Sequence, residues 1–375
     1  MGETLRPRAA DHGIRALSEE PTPGPSPARR AAQAVDALRH GWPIRFVGGP
    51  TLLPAETAIA SEARAGRLLI SSARAVTLKL ANQREAATPD APVLLHGAEP
   101  FTLADARAAA DPALDLAHPL KGPFRADRLD WQAEAQAALE LARIAGILPA
   151  FMVDPDNPGE AQSIETGDLA TLQSGHGLRI VTRARLPVAA ALDAEIVAFR
   201  STDDLREHVA LVIGERRADR PPLVRLHSEC LTGDVLGSLK CDCGPQLDGA
   251  LAQMAHEADS GGWGVLLYLR QEGRGIGLVN KLRAYRLQDQ GHDTVDANQR
   301  LGLPDEARDF HTAARMLALL DIADLRLLTN NPRKVAALEA QGLSVSERVP
   351  HAPGANPQNA RYLATKRDRS GHLLP

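Results

Sequence analysis

Apolar residues in the first 165 positions fall into short runs separated by polar turns. Short apolar runs suit buried strands, whereas leucine and alanine at three- and four-residue spacing suit helices. The pattern predicts a helix, two strands, a second helix and a third strand, at residues 31–40, 68–71, 93–95, 131–144 and 147–153. Gly41 follows the first helix and can end it in a left-handed conformation.

The remainder of the chain shows a longer alternation of strand and helix patterns. Strands are predicted at residues 194–200, 208–213, 223–226, 263–269, 324–328 and 343–349. Helices are predicted from Pro245 as the first helical residue, over 278–290, from Arg308 or Asp309, and from Pro332 until Gly342 closes the helix. Residues 294–308 are predicted to form a polar loop. We therefore expect an α+β or mixed α/β fold.

Composition along the chain predicts the domain boundaries. Residues 19–29 are rich in proline and polar side chains, so we expect residues 1–29 to be a disordered tail. Residues 154–159 form a turn-rich break. The predicted division is a first domain over residues 30–165, a linker over 166–186 and a second domain over 187–375.

Charge and hydropathy exclude several classes of protein. The net charge is −4, and aromatic residues make up 3% of the chain. This balance gives neither the basic surface nor the stacking side chains that nucleic-acid binding favours. No apolar run approaches the ~18 residues that span a membrane, and no export signal is visible. We expect a cytoplasmic protein.

All three cysteines lie within one short stretch, as Cys230, Cys241 and Cys243. Thiolates at C-x10-C-x-C spacing suit zinc, which takes sulfur ligands in tetrahedral geometry. His227 is a candidate fourth ligand; without it, the open position would hold a water that zinc activates. The alternatives are one disulfide with a free thiol, or three buried thiols.

Two further segments are suited to binding anions. A glycine-rich stretch at residues 270–277, RQEGRGIG, follows a predicted strand and could bring backbone N–H groups close to phosphate. The turn at 329–332 precedes a helix that carries Arg333 and Lys334, which combines a helix N-terminus with two cations. Lys281, Arg283 and Tyr285 lie on the helix between these segments, and their simplest interpretation is a solvated polar face.

Together these segments resemble GTP cyclohydrolase II, the first committed enzyme of riboflavin synthesis. The similarity covers residues 187–374 and includes HSECLTGD, SLKCDCG, RQEGRGIGL, LRAYRLQDQG, TNNPRK and TKRDRSGHLL. It implies a homodimeric enzyme that opens the imidazole ring of GTP and releases formate and pyrophosphate, leaving a diaminopyrimidine ribosyl phosphate. It also implies one zinc ion, held by Cys230, Cys241 and Cys243, and magnesium on the triphosphate.

The resemblance carries further roles over by position. GTP binding is assigned to Arg225, Leu226, His227, Ser228, Glu229, Gln246, Glu272, Gly273, Arg274, Thr294, Thr329 and Lys334. Tyr285 matches a tyrosine near the base, suited to donating a proton during ring opening. Arg308 matches the arginine proposed as nucleophile for pyrophosphate release. Because a guanidinium keeps a pKa above about 12, an electrostatic clamp is an equal alternative.

The loop before Arg308 departs from the family pattern. The family has an aspartate two residues before this arginine as a proton acceptor, whereas this chain reads Asp305-Glu306-Ala307-Arg308. Register favours Glu306 as the catalytic base, with Asp305 as the alternative. A displaced carboxylate can cost on the order of a hundredfold in rate. A zinc protein that binds GTP without turnover, as a sensor, is therefore a competing hypothesis.

The first domain weakly resembles 3,4-dihydroxy-2-butanone 4-phosphate synthase, in ALRHGWPI and LARIAGILPA. That family binds magnesium on an acidic loop after its first strand, but residues 46–50 here read FVGGP, without a carboxylate. The family's Arg-Pro-Gly-His-Thr-Glu stretch is also missing. We therefore expect a degenerate domain with a scaffolding or dimerisation role, which argues against the bifunctional alternative.

Overall fold

The computed structural model describes residues 25–173, 177–201 and 206–374. Two seven-stranded sheets organise these residues, one in the first half (residues 25–173) and one in the second half (residues 177–374). Helices cover the sheets, so the predicted mixed α/β class is confirmed. No helix in the described ranges is both long and apolar enough to cross a membrane.

The first half contains five helices and nine strands among its described residues. The helices are α1 (Pro27–Arg39), α2 (Ser72–Thr77), α3 (Leu103–Ala110), α4 (Gln132–Ala145) and α5 (Leu169–Gln173). The strands are β1 (Ile44–Phe46), β2 (Thr51–Pro54), β3 (Arg64–Ala65), β4 (Arg67–Ile70), β5 (Val93–His96), β6 (Phe101–Thr102), β7 (Arg125–Asp127), β8 (Ala150–Val153) and β9 (Gln162–Ile164). The sheet order is β7-β5-β4-β8-β2-β1-β9, antiparallel except for the β1–β9 pair.

The second half builds its sheet from seven strands. These are β10 (Arg179–Arg185), β11 (Ala194–Arg200), β12 (Glu207–Ile213), β13 (Leu223–Ser228), β14 (Gly264–Leu269), β15 (Asp324–Leu328) and β16 (Ser344–Val349). The helices are α6 (Cys243–Asp259), α7 (Leu278–Asp289), α8 (Thr294–Arg300), α9 (Phe310–Leu319), α10 (Pro332–Glu339) and α11 (Ala360–Asp368). The sheet order is β10-β11-β12-β14-β13-β15-β16, and the pairs from β14 to β16 are parallel.

Three predicted segments differ from the structure. Helix α1 begins at Pro27, three residues inside the predicted tail, because Ser26 caps it; residues 1–24 lie outside the described residues. The predicted linker over 166–186 contains α5 and β10. The hydrophobic pattern does not predict β10, because it is an exposed edge strand rich in arginine. The predicted loop over 294–308 begins with α8, which Asp293 caps at the Asp296 amide.

Smaller differences concern element ends. Helix α6 begins at Cys243, two residues before Pro245, so the last cysteine is itself the first helical residue. Helix α10 ends at Glu339, and Gly342 follows with φ of +83°. The other predicted strands and helices lie within a few residues of their observed positions.

Both faces of the first sheet are buried. Leu69 and Phe151 face the core cluster formed with α1 and α4. Leu68 and Ile70 point to the opposite side, into a cluster that includes α3 and residues of α7 and α8. Side chains from the second half in that cluster are Ile276, Ala284, Leu287, Ala297, Leu301 and Leu303. The two halves therefore share one hydrophobic core.

This shared core gives a stability prediction. Leu287→Ala should lower the free energy of unfolding by about 2–5 kcal/mol, because Leu287 is 1% exposed and its loss leaves a cavity against the first half. Leu282→Ala is the matched control on the same helix; at 49% exposure it should cost less than about 0.5 kcal/mol. Equilibrium unfolding in urea measures both. Equal losses would contradict the shared core.

Candidate active site

The parallel strands deliver the site to one edge of the second sheet. Strands β13, β14 and β15 run side by side and end at Ser228, Leu269 and Leu328. The segments that follow are the cysteine loop, the glycine-rich loop and the Thr329 turn. In open α/β sheets, ligands bind in the crevice at the carboxyl ends of such strands. The three predicted segments thus meet because of strand order alone.

One cavity at this edge gathers nearly all the predicted site residues. From the prediction it is lined by Arg225, Leu226, His227, Ser228, Glu229, Cys230, Cys241, Cys243, Gln246, Glu272, Gly273, Arg274, Tyr285, Thr294, Arg308, Thr329 and Lys334. Glu306 does not line the cavity, but it pairs with Arg308, which does. The structure thus assembles these residues and leaves their individual roles to experiment.

The three cysteines form a compact cluster of free thiols. Their Sγ atoms lie within 4.8 Å of one another, and the Cys230 and Cys241 sulfurs are 3.7 Å apart. The disulfide alternative is therefore not the observed state. Hydrogen bonds from Cys241 and Cys243, together with Lys281, lower the pKa of Cys230, while the same coupling raises the pKa values of Cys241 and Cys243. The lowered pKa of Cys230 favours a thiolate there, beside the Lys281 ammonium.

The backbone is shaped to bring the sulfurs together. A Cβ atom at Gly233 would lie 2.9 Å from the Cys241 Sγ and 3.1 Å from the Cys230 Sγ. A Cβ atom at Gly244 would lie 2.5 Å from the Gly233 carbonyl oxygen. Glycine is therefore required at both positions for the loop and the first turn of α6 to pack closely.

Asp234 organises the cysteine loop from inside the protein. Its buried carboxylate accepts hydrogen bonds from the Cys230 amide at 3.0 Å and from the Tyr268 hydroxyl at 2.8 Å. The His227 Nε2 lies 3.0 Å from the same carboxylate. His227 thus uses this nitrogen on Asp234, and its ring lies outside the three-thiol group. Burial lowers the pKa of His227 although Asp234 opposes the shift.

Helix α7 supplies the opposite wall of the cluster. The Lys281 ammonium donates to the Cys230 Sγ at 3.0 Å, the Thr232 hydroxyl at 2.9 Å and the Glu272 carboxylate at 2.8 Å. The Tyr285 hydroxyl lies 3.4 Å from the Thr232 hydroxyl, and burial raises the pKa of Tyr285. Both therefore line the cavity: Tyr285 as the resemblance predicts, and Lys281 in place of the solvated face that was its simplest interpretation. Their four-residue spacing, which places both on one side of a helix, was the available signal.

Buried cations dominate the other side of the cavity. Burial lowers the pKa of Arg225 to about 10 and lowers the pKa of Lys334 well below its usual value, with Arg308 as the next cause for Lys334. Lys334 donates to the Leu226 carbonyl oxygen at 2.7 Å, and Arg225 donates to the Gln246 Oε1 at 2.6 Å. Both contacts are to neutral acceptors. Arg225 and Lys334 therefore have no direct anionic partner among the described residues.

Several residues that line the cavity have buried polar atoms without a hydrogen-bond partner in the part of the chain that the structure describes. Among the described residues, no hydrogen-bond partner is present for the buried Arg225 Nε, Ser228 Oγ, Arg274 Nη2 and His227 Nδ1. A buried donor without a partner costs about 1–3 kcal/mol, so native proteins retain few of them. Four such atoms along one cavity indicate that a polar ligand completes the site.

The loop at residues 305–308 holds its two acids differently. Glu306 binds the Arg308 guanidinium through both carboxylate oxygens, with the Nε–Oε1 contact at 2.7 Å. Burial would raise the pKa of Glu306, but these bonds outweigh it and lower the pKa. Asp305 instead pairs with the Arg274 Nη1 at 2.6 Å and faces a separate groove between the two halves. Of these two acids, Glu306 is the one that pairs with Arg308.

The carboxyl-terminal segment contributes cavity-lining residues that the family resemblance did not assign to the site. The Lys366 ammonium donates to Asp242 at 2.7 Å and lies 4.6 Å from the centre of the Tyr362 ring. His351 and His372 also line the cavity, and burial lowers the pKa of each to about 4, so both are neutral near pH 7. The TKRDRSGHLL segment contained the signal for Lys366 and His372.

The chain is similar in sequence to proteins of known family. A family model for GTP cyclohydrolase II matches residues 179–350. A GTP cyclohydrolase-2 from Azospirillum brasilense is 43% identical over 320 residues, which cover 82% of this chain and 81% of that protein. A riboflavin biosynthesis protein RibBA from Salinispora arenicola is 48% identical over 258 residues, which cover 64% of this chain and 60% of that protein.

Among solved structures, similarity is found to RibBX, a two-domain 3,4-dihydroxy-2-butanone 4-phosphate synthase from A. baumannii. It is 17% identical, with a TM-score of 0.30, and the match covers 86% of this chain and 99% of that chain. A score this low supports no inference about the first half.

The buried cations predict an anion response. Inorganic tripolyphosphate should raise the melting temperature, because it binds the folded cavity and compensates Lys334. At one hundred times the dissociation constant the gain is about 2.7 kcal/mol. Lys334→Met should lose most of this response, whereas Arg333→Gln, at the exposed neighbouring position, should keep it. Thermal unfolding with and without tripolyphosphate measures the difference. An unchanged response in Lys334→Met would exclude Lys334 as part of the anion site.

Proposed function

The chain belongs to the GTP cyclohydrolase II family, a family of riboflavin-synthesis hydrolases, and we propose that it converts GTP into a diaminopyrimidine ribosyl phosphate, formate and pyrophosphate. The observation that carries the proposal is the composition of one cavity. A three-thiol cluster forms one side, and buried cations without a direct anionic partner among the described residues form the other. This pair of features suits a ligand with a ring to be hydrolysed at one end and a polyphosphate at the other.

The cysteine cluster fits zinc by its chemistry and packing. Three sulfurs within 4.8 Å provide the soft donors that zinc prefers, and Gly233 leaves space beside them that a Cβ would fill. When bound, zinc supplies an activated water for attack on the imidazole-ring carbon of guanine. Three protein ligands with one open position are typical of catalytic rather than structural zinc.

The remaining side chains would hold the substrate. Arg225, Lys334 and backbone donors of the glycine-rich loop would bind the triphosphate, and magnesium would offset part of its negative charge. An anion there would raise the pKa values of Arg225 and Lys334, which burial lowers, and so favour their charged forms. Lys281 and Tyr285 would face the guanine ring. The hydroxyl of Tyr285, kept protonated by its raised pKa, would donate a proton as the ring opens.

We assign pyrophosphate release to the loop at residues 305–308. Glu306, with its lowered pKa, is ionised and holds Arg308 in place toward the cavity. In this arrangement Glu306 can accept a proton from Arg308 if the arginine attacks phosphorus. If Arg308 is a clamp, the same contact fixes its orientation. Asp305 is less suited to either role because Arg274 holds it beside the other groove.

The setting of the enzyme is also part of the proposal. Three free thiols at the site suit a reducing cytoplasm. We expect a homodimer with GTP as the small-molecule substrate. We propose a degenerate butanone-phosphate-synthase-like domain for residues 30–165, where Gly48 and Gly49 form a turn in place of an acidic loop.

Loss of one thiol should remove the metal and the chemistry together. Cys241→Ser should bind less than one tenth of the parent's zinc and release no measurable formate, because two thiolates hold zinc far more weakly than three. Zinc content by mass spectrometry of the purified protein and formate release from GTP are the two measurements. Full activity with a bound metal would overturn the three-thiolate site.

The two neighbouring acids should differ in effect. Glu306→Gln should lower the rate of pyrophosphate release about a hundredfold, because Arg308 loses its paired carboxylate. Asp305→Asn should lower it less than about tenfold, since its contact is with Arg274. Steady-state kinetics with GTP and magnesium decide the ranking. The reverse order would assign the base to Asp305.

The first assay separates the enzyme from a GTP sensor. Zinc-loaded parent protein with GTP and magnesium should release formate and pyrophosphate in equal amounts. Tight GTP binding without either product would instead establish the sensor and identify the altered 305–308 loop as the cause.

A further inference from the structure

Arg283 of helix α7 forms ion pairs with two acids of the first half. The Arg283 guanidinium contacts the Glu56 carboxylate at 3.0 Å and the Asp111 carboxylate at 3.1 Å. Its third nitrogen donates to the Asn280 Oδ1 at 2.9 Å. Asn280 is fully buried, and its own amide donates to the Gly146 carbonyl oxygen at 3.2 Å. We call these contacts the α7 clasp.

The clasp lies opposite the side chains that enter the cavity. Residues two apart on a helix point about 200° apart, whereas residues four apart share a face. Arg283 lies midway between Lys281 and Tyr285 in sequence, so it leaves the helix on the side away from them. Lys281 and Tyr285 contact the cysteine cluster and Thr232, while Arg283 contacts the first half. Helix α7 therefore contacts the first half on one side and the cysteine cluster on the other.

Apolar packing adds to these polar contacts. Ala284 and Leu287 of α7 belong to the same core cluster as Leu68 and Ile70 of the first sheet. The clasp fixes the rotation and height of the helix on that core, because a guanidinium held by two carboxylates accepts few orientations. Hydrophobic contact alone is non-directional.

We propose that the first half acts as a positioning domain for ring opening, with Arg283 as its positioning residue. This inference rests on the proposed function. The clasp sets where the Lys281 ammonium and the Tyr285 hydroxyl stand relative to the thiols. The cations for the triphosphate, Arg225 and Lys334, belong to β13 and α10. Their hydrogen bonds are to Leu328, Gln246 and Leu226, none of which lies on α7.

Because different elements hold the groups at the two ends of the substrate, loosening α7 should affect formate release and pyrophosphate release differently. General destabilisation of the protein would lower both. Loosening α7 disturbs the groups at the guanine end. Arg308 keeps its pair with Glu306, and Arg143 of α4 still donates to the Ala307 carbonyl oxygen. Arg283→Gln should therefore lower kcat for formate release about tenfold or more, with pyrophosphate release and the KM for GTP changed less than about twofold. The ratio of formate to pyrophosphate falls below one, and the difference leaves the cavity as guanosine monophosphate with an unopened ring. A purely structural role would lower both products equally.

The chain offers matched controls. Arg286→Gln removes an exposed arginine one turn further along α7, which makes no ion pair with a described residue, and should keep the parent ratio. Asp111→Asn keeps the cap on the Ala113 amide but removes a charge facing Arg283. It should lower the product ratio in the same direction. Combined with Arg283→Gln it should add little, because both changes break the same contact.

A second measurement is independent of catalysis. Amide hydrogen exchange of residues 278–289, without substrate, should be faster in Arg283→Gln than in the parent and unchanged in Arg286→Gln. Parallel loss of both products, or α7 exchange equal to that of the parent, would overturn the inference. A parent protein that releases neither product would overturn the proposed function, whereas the exchange experiment would still decide whether the clasp holds α7.

Discussion

The first sheet is apolar on both faces, and such a sheet must be covered twice. Leu69 and Phe151 are covered by α1 and α4 of the same half. The other face, with Leu68 and Ile70, is completed by α7 and α8, which belong to the second half. This requirement ties the geometry of the second half to the first. Since α7 carries Lys281 and Tyr285, one wall of the cavity lies on a helix that packs against the first half.

The opposite wall obeys an electrostatic constraint. Arg225 and Lys334 are buried where their charges are poorly solvated, and the lowered pKa of each records that cost. Their contacts with Gln246 and the Leu226 carbonyl oxygen hold them in position without neutralising them. Such an arrangement is stable only because the rest of the fold supplies a sufficient core. It is pre-organised for an anion, and binding energy then need not be spent on moving cations into place.

Sequence alone predicted the segments of the site that follow directly from a strand. The cysteine loop, the glycine-rich loop and the Thr329 turn each come after an apolar run, so their meeting at one sheet edge could be expected. It did not reveal Asp234, whose role depends on Tyr268 and His227 folding onto it. The polar helix α8 and the arginine-rich edge strand β10 were missed because tertiary contacts, and not hydrophobic periodicity, stabilise them.

The clearest failure of local pattern is also the most informative. Arg283 was interpreted as part of a solvated face, because nothing in its own helix distinguishes it from Arg286. Its partners, Glu56 and Asp111, lie far away in the chain and on different elements. A half-buried guanidinium between two carboxylates costs desolvation that only good geometry offsets. Contacts of this kind are therefore weak evidence for stability and better evidence for specific orientation, which is what a helix carrying Lys281 and Tyr285 requires.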